Sequence, residues 1–443
     1  MKRLLLTLGL SLSLLAASAC ERRGGEVGSD NTGPIKVGVY GDLSGQTSSF
    51  GQSTKNGIAM AVDEINKAGG VNGRQVAFLF EDDQGQPAQA KTVVSKLINQ
   101  DKVHAVLGEV ASSNSLAAAP VAQEAKIPMI TPSSTNPKVT QVGDYIFRVC
   151  FTDNFQGAVM AKFAANTLKA KTAAVLGDVN SDYSKGMTQY FEQEFNRLGG
   201  RIITKQAYTQ TDADYKGQLT NIRSSNPDVI FVPGYYGQVG VIAKQAKELG
   251  MNTPLLGGDG WDAPQLWELG GTALNGNFMS NHYSPDNPSP FVQKFIAEYR
   301  GRYGTAPDAI AALAYDAMYV LADSIKRAGT TDPAKLRDAI AQTNGYAGVT
   351  GSITINADRD AIKPAVVLEL VANANERKFV YKETIQPEGA PAAANSGAPS
   401  APANVATTPG IQNPGPGAAN ANANAAGATT GPAAGANANN ANK

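Results

Sequence analysis

A chain of 443 residues has room for two or three domains of ~100–200 residues each. Its 42% hydrophobic and 17% charged content describes a globular body, with Lys plus Arg and Asp plus Glu balanced at 38 each. That balance argues against a nucleic-acid binder, which carries a basic excess or stripe.

Taken in chain order, the first twenty residues read as a secretory signal. Lys2 and Arg3 form the positive start, residues 4–15 the apolar run, and Ala17-Ser18-Ala19 the small-residue cleavage site. The run is short for a bilayer span, which needs ~20 apolar residues. Cys20 follows directly, and the segment resembles a bacterial lipoprotein signal, in which that cysteine is lipidated and becomes the mature N-terminus. Ala17 stands where such signals usually have Leu. The resemblance implies a lipid anchor on Cys20, stable with more than one acyl chain. Residues 21–34 read as a tether. Cys150 is then the lone cysteine of the mature chain. It lies in an apolar, strand-like run, 145–151, which predicts a buried, inert thiol.

The body alternates short apolar strands with amphipathic helices. Strands are predicted at 35–40, 76–80, 103–107 and 127–130, and helices at 51–67, 87–99 and 112–125. Gly69-Gly70 closes the first helix where a C-terminal glycine is expected. The rhythm repeats with strands at 172–176, from 202, and at 228–232, and helices at 183–198, 215–224 and 238–249. Continuously apolar strands imply helices on both sheet faces. Two successive βαβαβ runs imply an α/β fold of two doubly wound, parallel-sheet lobes. Later helices, at 290–303, 309–328 and 333–342, and strands at 352–355 and 366–370, belong to neither run, so the chain is expected to cross between lobes more than once. Residues 387–443, nearly all Ala, Asn, Gly, Pro and Ser, read as a disordered spacer.

Catalytic motifs are missing. There is no phosphate loop, no G-x-G-x-x-G after the first strand and no G-x-S-x-G elbow. No catalytic residue, cofactor or metal site is expected. His104 and His282 lie far apart and read as structural imidazoles, and Glu81-Asp82-Asp83 as a solvated strand end. What recurs instead is hydroxyls just after strands. Residues 111–115 (Ala-Ser-Ser-Asn-Ser) open a helix whose N-terminus favours a carboxylate, and residues 131–137 (Thr-Pro-Ser-Ser-Thr-Asn-Pro) follow another strand in the same way. The second lobe offers Tyr183, Tyr235-Tyr236, and Asp259 within Gly257-Gly258-Asp259-Gly260-Trp261-Asp262. Hydroxyls and a helix end opposite a carboxylate and phenols suit a zwitterion.

On these segments, with Gly41-Asp42-Leu43-Ser44-Gly45, Phe50-Gly51 and Ile65-Asn66-Lys67-Ala68-Gly69-Gly70, residues 35–386 resemble the leucine/isoleucine/valine-binding family of ABC transporters, the type I periplasmic solute-binding fold. The resemblance implies that Ser112 and Thr135, with backbone near Ser133 and Ser134, hold a ligand α-carboxylate. Asp259 would meet the α-ammonium, Tyr183 and Tyr235 or Tyr236 would close over the ligand, and Phe50 would border its side chain. The disulfide of compared relatives is absent, since Gln84-Gly85 and Ala111 stand in its place. Three hinge crossings are implied near Cys150, His282 and Gly348, giving one lobe of 35–149 plus 282–346 and another of 150–281 plus 347–386. The function implied is an extracytoplasmic, monomeric amino-acid-binding protein serving an ABC permease and its ATPase. A sensor of the same fold for an amide, urea-like or aromatic acid solute is the alternative, and an enzyme is less favoured.

Overall fold

The computed structural model describes residues 33–387. The expected signal, Cys20, the tether up to residue 32 and nearly all of the spacer lie outside the described residues. Within them, no helix is long and apolar enough to cross a membrane.

Five strands, β1 (Ile35–Gly41), β2 (Val76–Asp82), β3 (Ala105–Leu107), β4 (Met129–Thr131) and β5 (Ile146–Arg148), form a parallel sheet in the order β2-β1-β3-β4-β5. Strands β3, β4 and β5 are buried from end to end because helices cover both faces, as their unbroken runs require. The second sheet takes β6 (Thr172–Asp178), β7 (Arg201–Tyr208), β8 (Val229–Phe231), β9 (Leu255–Gly257) and β10 (Asn277–Asn281) in parallel. After a three-stranded antiparallel unit of β11 (Tyr346–Gly348), β12 (Gly351–Ile355) and β13 (Ala361–Ile362), the chain returns to that second sheet. There β14 (Ala365–Ala372) and β15 (Arg377–Ile385) extend its edge antiparallel, giving the order β15-β14-β10-β9-β8-β6-β7.

Each sheet has its own core. Val37, Val39, Leu107, Ile130 and Phe147 pack with the long helix Ala309–Ala328, and Ile353, Ile355 and Ala361 join that same cluster. Segment 347–362 therefore sides with the first sheet, not with the second lobe as the sequence suggested. The reason is a buried pin. Asp316 on the long helix accepts hydrogen bonds from the backbone N–H groups of Val349 and Thr350, at 2.8 and 2.9 Å, and from the Thr350 hydroxyl at 2.6 Å. The third passage to the second sheet accordingly falls at Lys363-Pro364, between β13 and β14, rather than near Gly348. Cys150 and His282, both buried, lie on the other two passages.

Candidate functional site

The strand ends of the two sheets meet face to face. At the end of β1, the buried Asp42 carboxylate gathers its own loop, accepting from Ser44 N at 3.1 Å and from Thr47 N and Oγ1, each at 2.7 Å. This tight turn starts the helix Ser48–Lys67 and sets Phe50 in the contact between lobes. Gly51 is obligatory there, since a Cβ would stand 1.8 Å from the Asp42 carbonyl oxygen. Phe50 presents its ring edge-on to Tyr235 and Tyr236, with centroids 5.8 and 4.9 Å apart.

Beyond β3 and β4, the two hydroxyl-rich loops are bound together. Ser134 Oγ donates to the Glu109 and Val110 carbonyls at 2.8 and 3.0 Å, and Asn136 N donates to Ser112 Oγ at 3.2 Å. The Ser134 hydroxyl is thus committed to loop structure. Ser133 Oγ is buried without a partner, and Thr135 Oγ1 is buried without a hydrogen bond of normal geometry, near the Asp153 carboxyl. The loop is held from behind by Arg148, fully buried on β5, whose guanidinium bonds the Ser134 carbonyl, the Asn136 carbonyl at 2.8 Å and Asp360 at 2.6 Å. Buried donors and acceptors are normally paired, so two orphaned hydroxyls on a braced loop mark a surface shaped for something else.

From the other lobe, Tyr183 stacks on Tyr235 at 5.3 Å and 10°, and its hydroxyl accepts from Gly260 N at 3.3 Å. Asp259 opens a 3₁₀ turn, Asp259–Trp261, whose Trp261 is fully buried with its indole N–H on the Val232 carbonyl at 3.0 Å. One Asp259 oxygen, Oδ2, lies 3.0 Å from His282 Nε2, while Oδ1 is buried with no partner. Tyr236 differs from Tyr235. Its hydroxyl reaches across to the first lobe, donating to the Gln46 carbonyl at 3.1 Å and accepting from Ser49 N at 3.2 Å.

Further bonds close the two faces on each other. Ser113 Oγ donates to Asp182 Oδ2 at 2.8 Å, Asn136 Nδ2 to the Asp182 carbonyl at 2.7 Å, and Gln238 Nε2 to Gln46 Oε1 at 3.3 Å. The structure therefore brings Phe50, Ser112, Ser133, Ser134, Thr135, Tyr183, Tyr235 and Asp259 to one seam, with the Ser134 side chain turned away from it.

Sequence reasoning missed several neighbours. Asp153 heads the helix Asp153–Lys162; its N–H donates to the Thr135 carbonyl at 2.8 Å, its Oδ1 accepts from Gln156 Nε2 at 3.2 Å, and its Oδ2 has no partner. Burial, aided by the charge of Asp259, pushes Asp153 up to about 8. Asp83 is not part of a solvated strand end. It is fully buried, and burial with the charges of Asp42 and Asp82 raises it to about 7. His282 was read as structural and lies against Asp259, from which 23 residues separate it. No local motif announces it. Of the other expectations, Cys150 is buried, its thiol pushed up to about 12 by burial, and His104 Nδ1 accepts from Lys36 N at 3.0 Å, bracing β1.

Residues 34–375, well over half of the chain, match the periplasmic binding protein family. An amino-acid-binding protein of Pseudomonas aeruginosa is 33% identical over 307 residues, covering 68% of this chain and 80% of that protein. Among solved structures, a leucine-binding protein of Thermotoga maritima is 40% identical with a TM-score of 0.76, covering 80% of this chain and 99% of that one. A branched-chain amino acid transporter substrate-binding protein of Streptococcus pneumoniae, solved with isoleucine, is 31% identical with a TM-score of 0.73, covering 79% and 100% respectively.

Proposed function

The chain belongs to the periplasmic binding protein family, and from that premise we propose that it captures an aliphatic, branched-chain amino acid between its lobes and delivers it to an ABC permease and its ATPase. The observation that carries this reading is the pairing of orphans. The buried hydroxyls of Ser133 and Thr135 belong to one lobe, and the buried Asp259 Oδ1 to the other. An α-carboxylate suits the first set, and the positive N-terminal end of the helix Ser112–Glu124, joined to the same loop by the Asn136 N to Ser112 Oγ bond, favours it. An α-ammonium suits the second. Tyr183, Tyr235 and Phe50 border the remaining, apolar part of the ligand, with Tyr236 serving to fasten the lobes.

Micromolar affinity needs about −8 kcal/mol. A few charge-assisted hydrogen bonds at ~1.5–3 kcal/mol each and an apolar side-chain pocket are of that order before ordering costs. Ligand bridging both faces favours the closed form by the difference in its affinity for the two forms. Export and a lipid anchor on Cys20 complete the reading, holding a monomeric binder outside the cytoplasm, in the periplasm or at the outer face of the inner membrane.

The test is thermal stabilisation of the full chain by each of the twenty amino acids, urea, short amides and aromatic acids. Ligand at 100 times its Kd stabilises by ~2.7 kcal/mol, a visible shift. Leucine, isoleucine or valine is expected to stabilise, and Asp259→Ala to weaken that binding by ~2–5 kcal/mol, because the ammonium would be buried unpaired. Stabilisation only by solutes without an amino group would overturn the assigned ligand class.

A further inference from the structure

His282 lies on the second passage between lobes, just after β10, and is buried with 3% of its surface exposed. Its ring is clamped. Phe151, on the first passage, stacks on it with centroids 3.7 Å apart and planes 20° from parallel. The adjoining backbone is fixed as well: His282 N donates to Asn281 Oδ1, and Asn281 Nδ2 to Asp262 Oδ2, each at 2.8 Å. From this seat His282 Nε2 stands 3.0 Å from Asp259 Oδ2. A carboxylate oxygen only accepts, so Nε2 carries the proton and donates; the partnerless Nδ1 is the bare nitrogen of a neutral imidazole.

We propose that His282 is a positioning residue for ligand capture: its Nε2–H fixes Asp259 by Oδ2 and so reserves Oδ1 for the ligand's ammonium. This rests on the amino-acid reading of the Asp259 site given above. Without the imidazole, Asp259 would have two free oxygens and a free torsion, and the ammonium would have to order it on binding. Because the ring sits at the pivot, against a second pivot residue, it keeps its place near Asp259 whether the lobes are apart or together. The carboxylate is thus oriented before ligand arrives, which is where preorganisation gains affinity.

The arrangement has a consequence in acid. The charged groups facing the imidazole are Asp259, from the loop after β9, and Lys363, from the third passage; Phe151 covers a ring face. Burial holds His282 below the ordinary histidine value, Asp259 opposing and Lys363 reinforcing that displacement. A protonated His282 would neutralise Asp259 and compete with the ammonium. Ligand binding and protonation of His282 therefore oppose each other, and affinity falls as pH drops below the imidazole's range.

The experiment is calorimetric titration of the full chain with L-leucine at pH 5, 6, 7 and 8, for the wild type and for His282→Leu, His282→Gln and Asp259→Ala. The Leu variant fills the space without a donor, whereas Gln retains an N–H. At pH 7 we expect Kd to rise at least about tenfold in His282→Leu and to stay within about threefold in His282→Gln. Wild-type affinity should fall toward acid pH more steeply than that of the Gln variant. If His282→Leu does not fold, His282→Gln and its pH profile decide alone. Wild-type binding in His282→Leu, a Gln variant as weak as Leu, or one pH profile shared by wild type and Gln would each overturn the proposal. Asp259→Ala separates the layers. Its loss of binding beside a normal His282→Leu discards only the role of His282, whereas leucine binding unaffected by Asp259→Ala discards the amino-acid site itself.

Discussion

Asp153 joins a backbone contact that sets the geometry of the seam to a buried carboxyl whose ionisation costs stability. Its backbone N–H ties the helix Asp153–Lys162 to the Thr135 carbonyl, so the second lobe begins against the first lobe's hydroxyl loop. Its carboxyl is buried beside Asp259 and pushed from 3.8 up to about 8. The folded chain holds a proton there that the unfolded chain releases from pH about 4 upward. Stability contributed by this group is therefore complete at low pH and is lost progressively between about pH 4 and pH 8. Asp153→Asn keeps the shape and removes the titration. Urea unfolding of the ligand-free chain should then show a shallower fall in stability from pH 5 to pH 7.5 than in the wild type, by at most about 1.4 kcal/mol per pH unit. His282, whose value is lowered, acts in the opposite sense on its acid side but is common to both proteins. Identical slopes would mean that Asp153 stays ionised.

Among the elements, the two parallel sheets were legible because their strands are short apolar runs alternating with helices of 3.6 period, a pattern with few other solutions. The Ser112, Thr135, Tyr183 and Asp259 segments were proposed because chemistry collects at strand ends, and Phe50 only because of the family resemblance. Other features were hidden because no local pattern encodes them. Ser352–Ile355 alternates in a way that fits either lobe, and only Asp316, more than thirty residues earlier, decides which. Asp83 looked solvated among charged neighbours, but it is fully buried near Asp42 and Glu109, which come from the loops after β1 and β3. The Asp316 pin makes a prediction at this scale. Asp316→Ala would leave Val349 N and Thr350 N without acceptors and remove the nearest counter-charge of the buried Lys363, which burial lowers to about 8. Denaturant unfolding should register a loss of ~2–4 kcal/mol. Limited proteolysis should cut within 346–362 before any strand of the first sheet. A variant as stable as wild type, with this segment still protected, would show that the hydrophobic seating of Ile353 and Ile355 suffices without the pin.

At the scale of the whole molecule, the lobes are joined by two kinds of contact with different consequences. The passages at Cys150, His282 and Lys363 are covalent and buried, and they persist whatever the separation of the lobes. The fastenings between Ser113 and Asp182, Asn136 and Asp182, and Tyr236 and the Gln46-Ser49 turn exist only when the faces meet. Bonds made only in one form shift the equilibrium toward it without touching the ligand. Asp182→Ala removes the bond from Ser113 Oγ to the carboxylate and keeps the two backbone bonds, Asp182 N to Ser113 Oγ and Asn136 Nδ2 to the Asp182 carbonyl, so it tests fastening apart from recognition. A partly exposed hydrogen bond of this kind contributes ~0.5–1.5 kcal/mol net. Kd for the amino acid should therefore rise about twofold to tenfold. The increase should appear in the off-rate, because the lobes part more readily while the encounter with the open form is unchanged. Stopped-flow measurement of both rate constants distinguishes the cases. A slower on-rate at constant off-rate would place Asp182 in the initial encounter, and unchanged rates would mean that the remaining bonds across the seam hold the lobes together without its carboxylate.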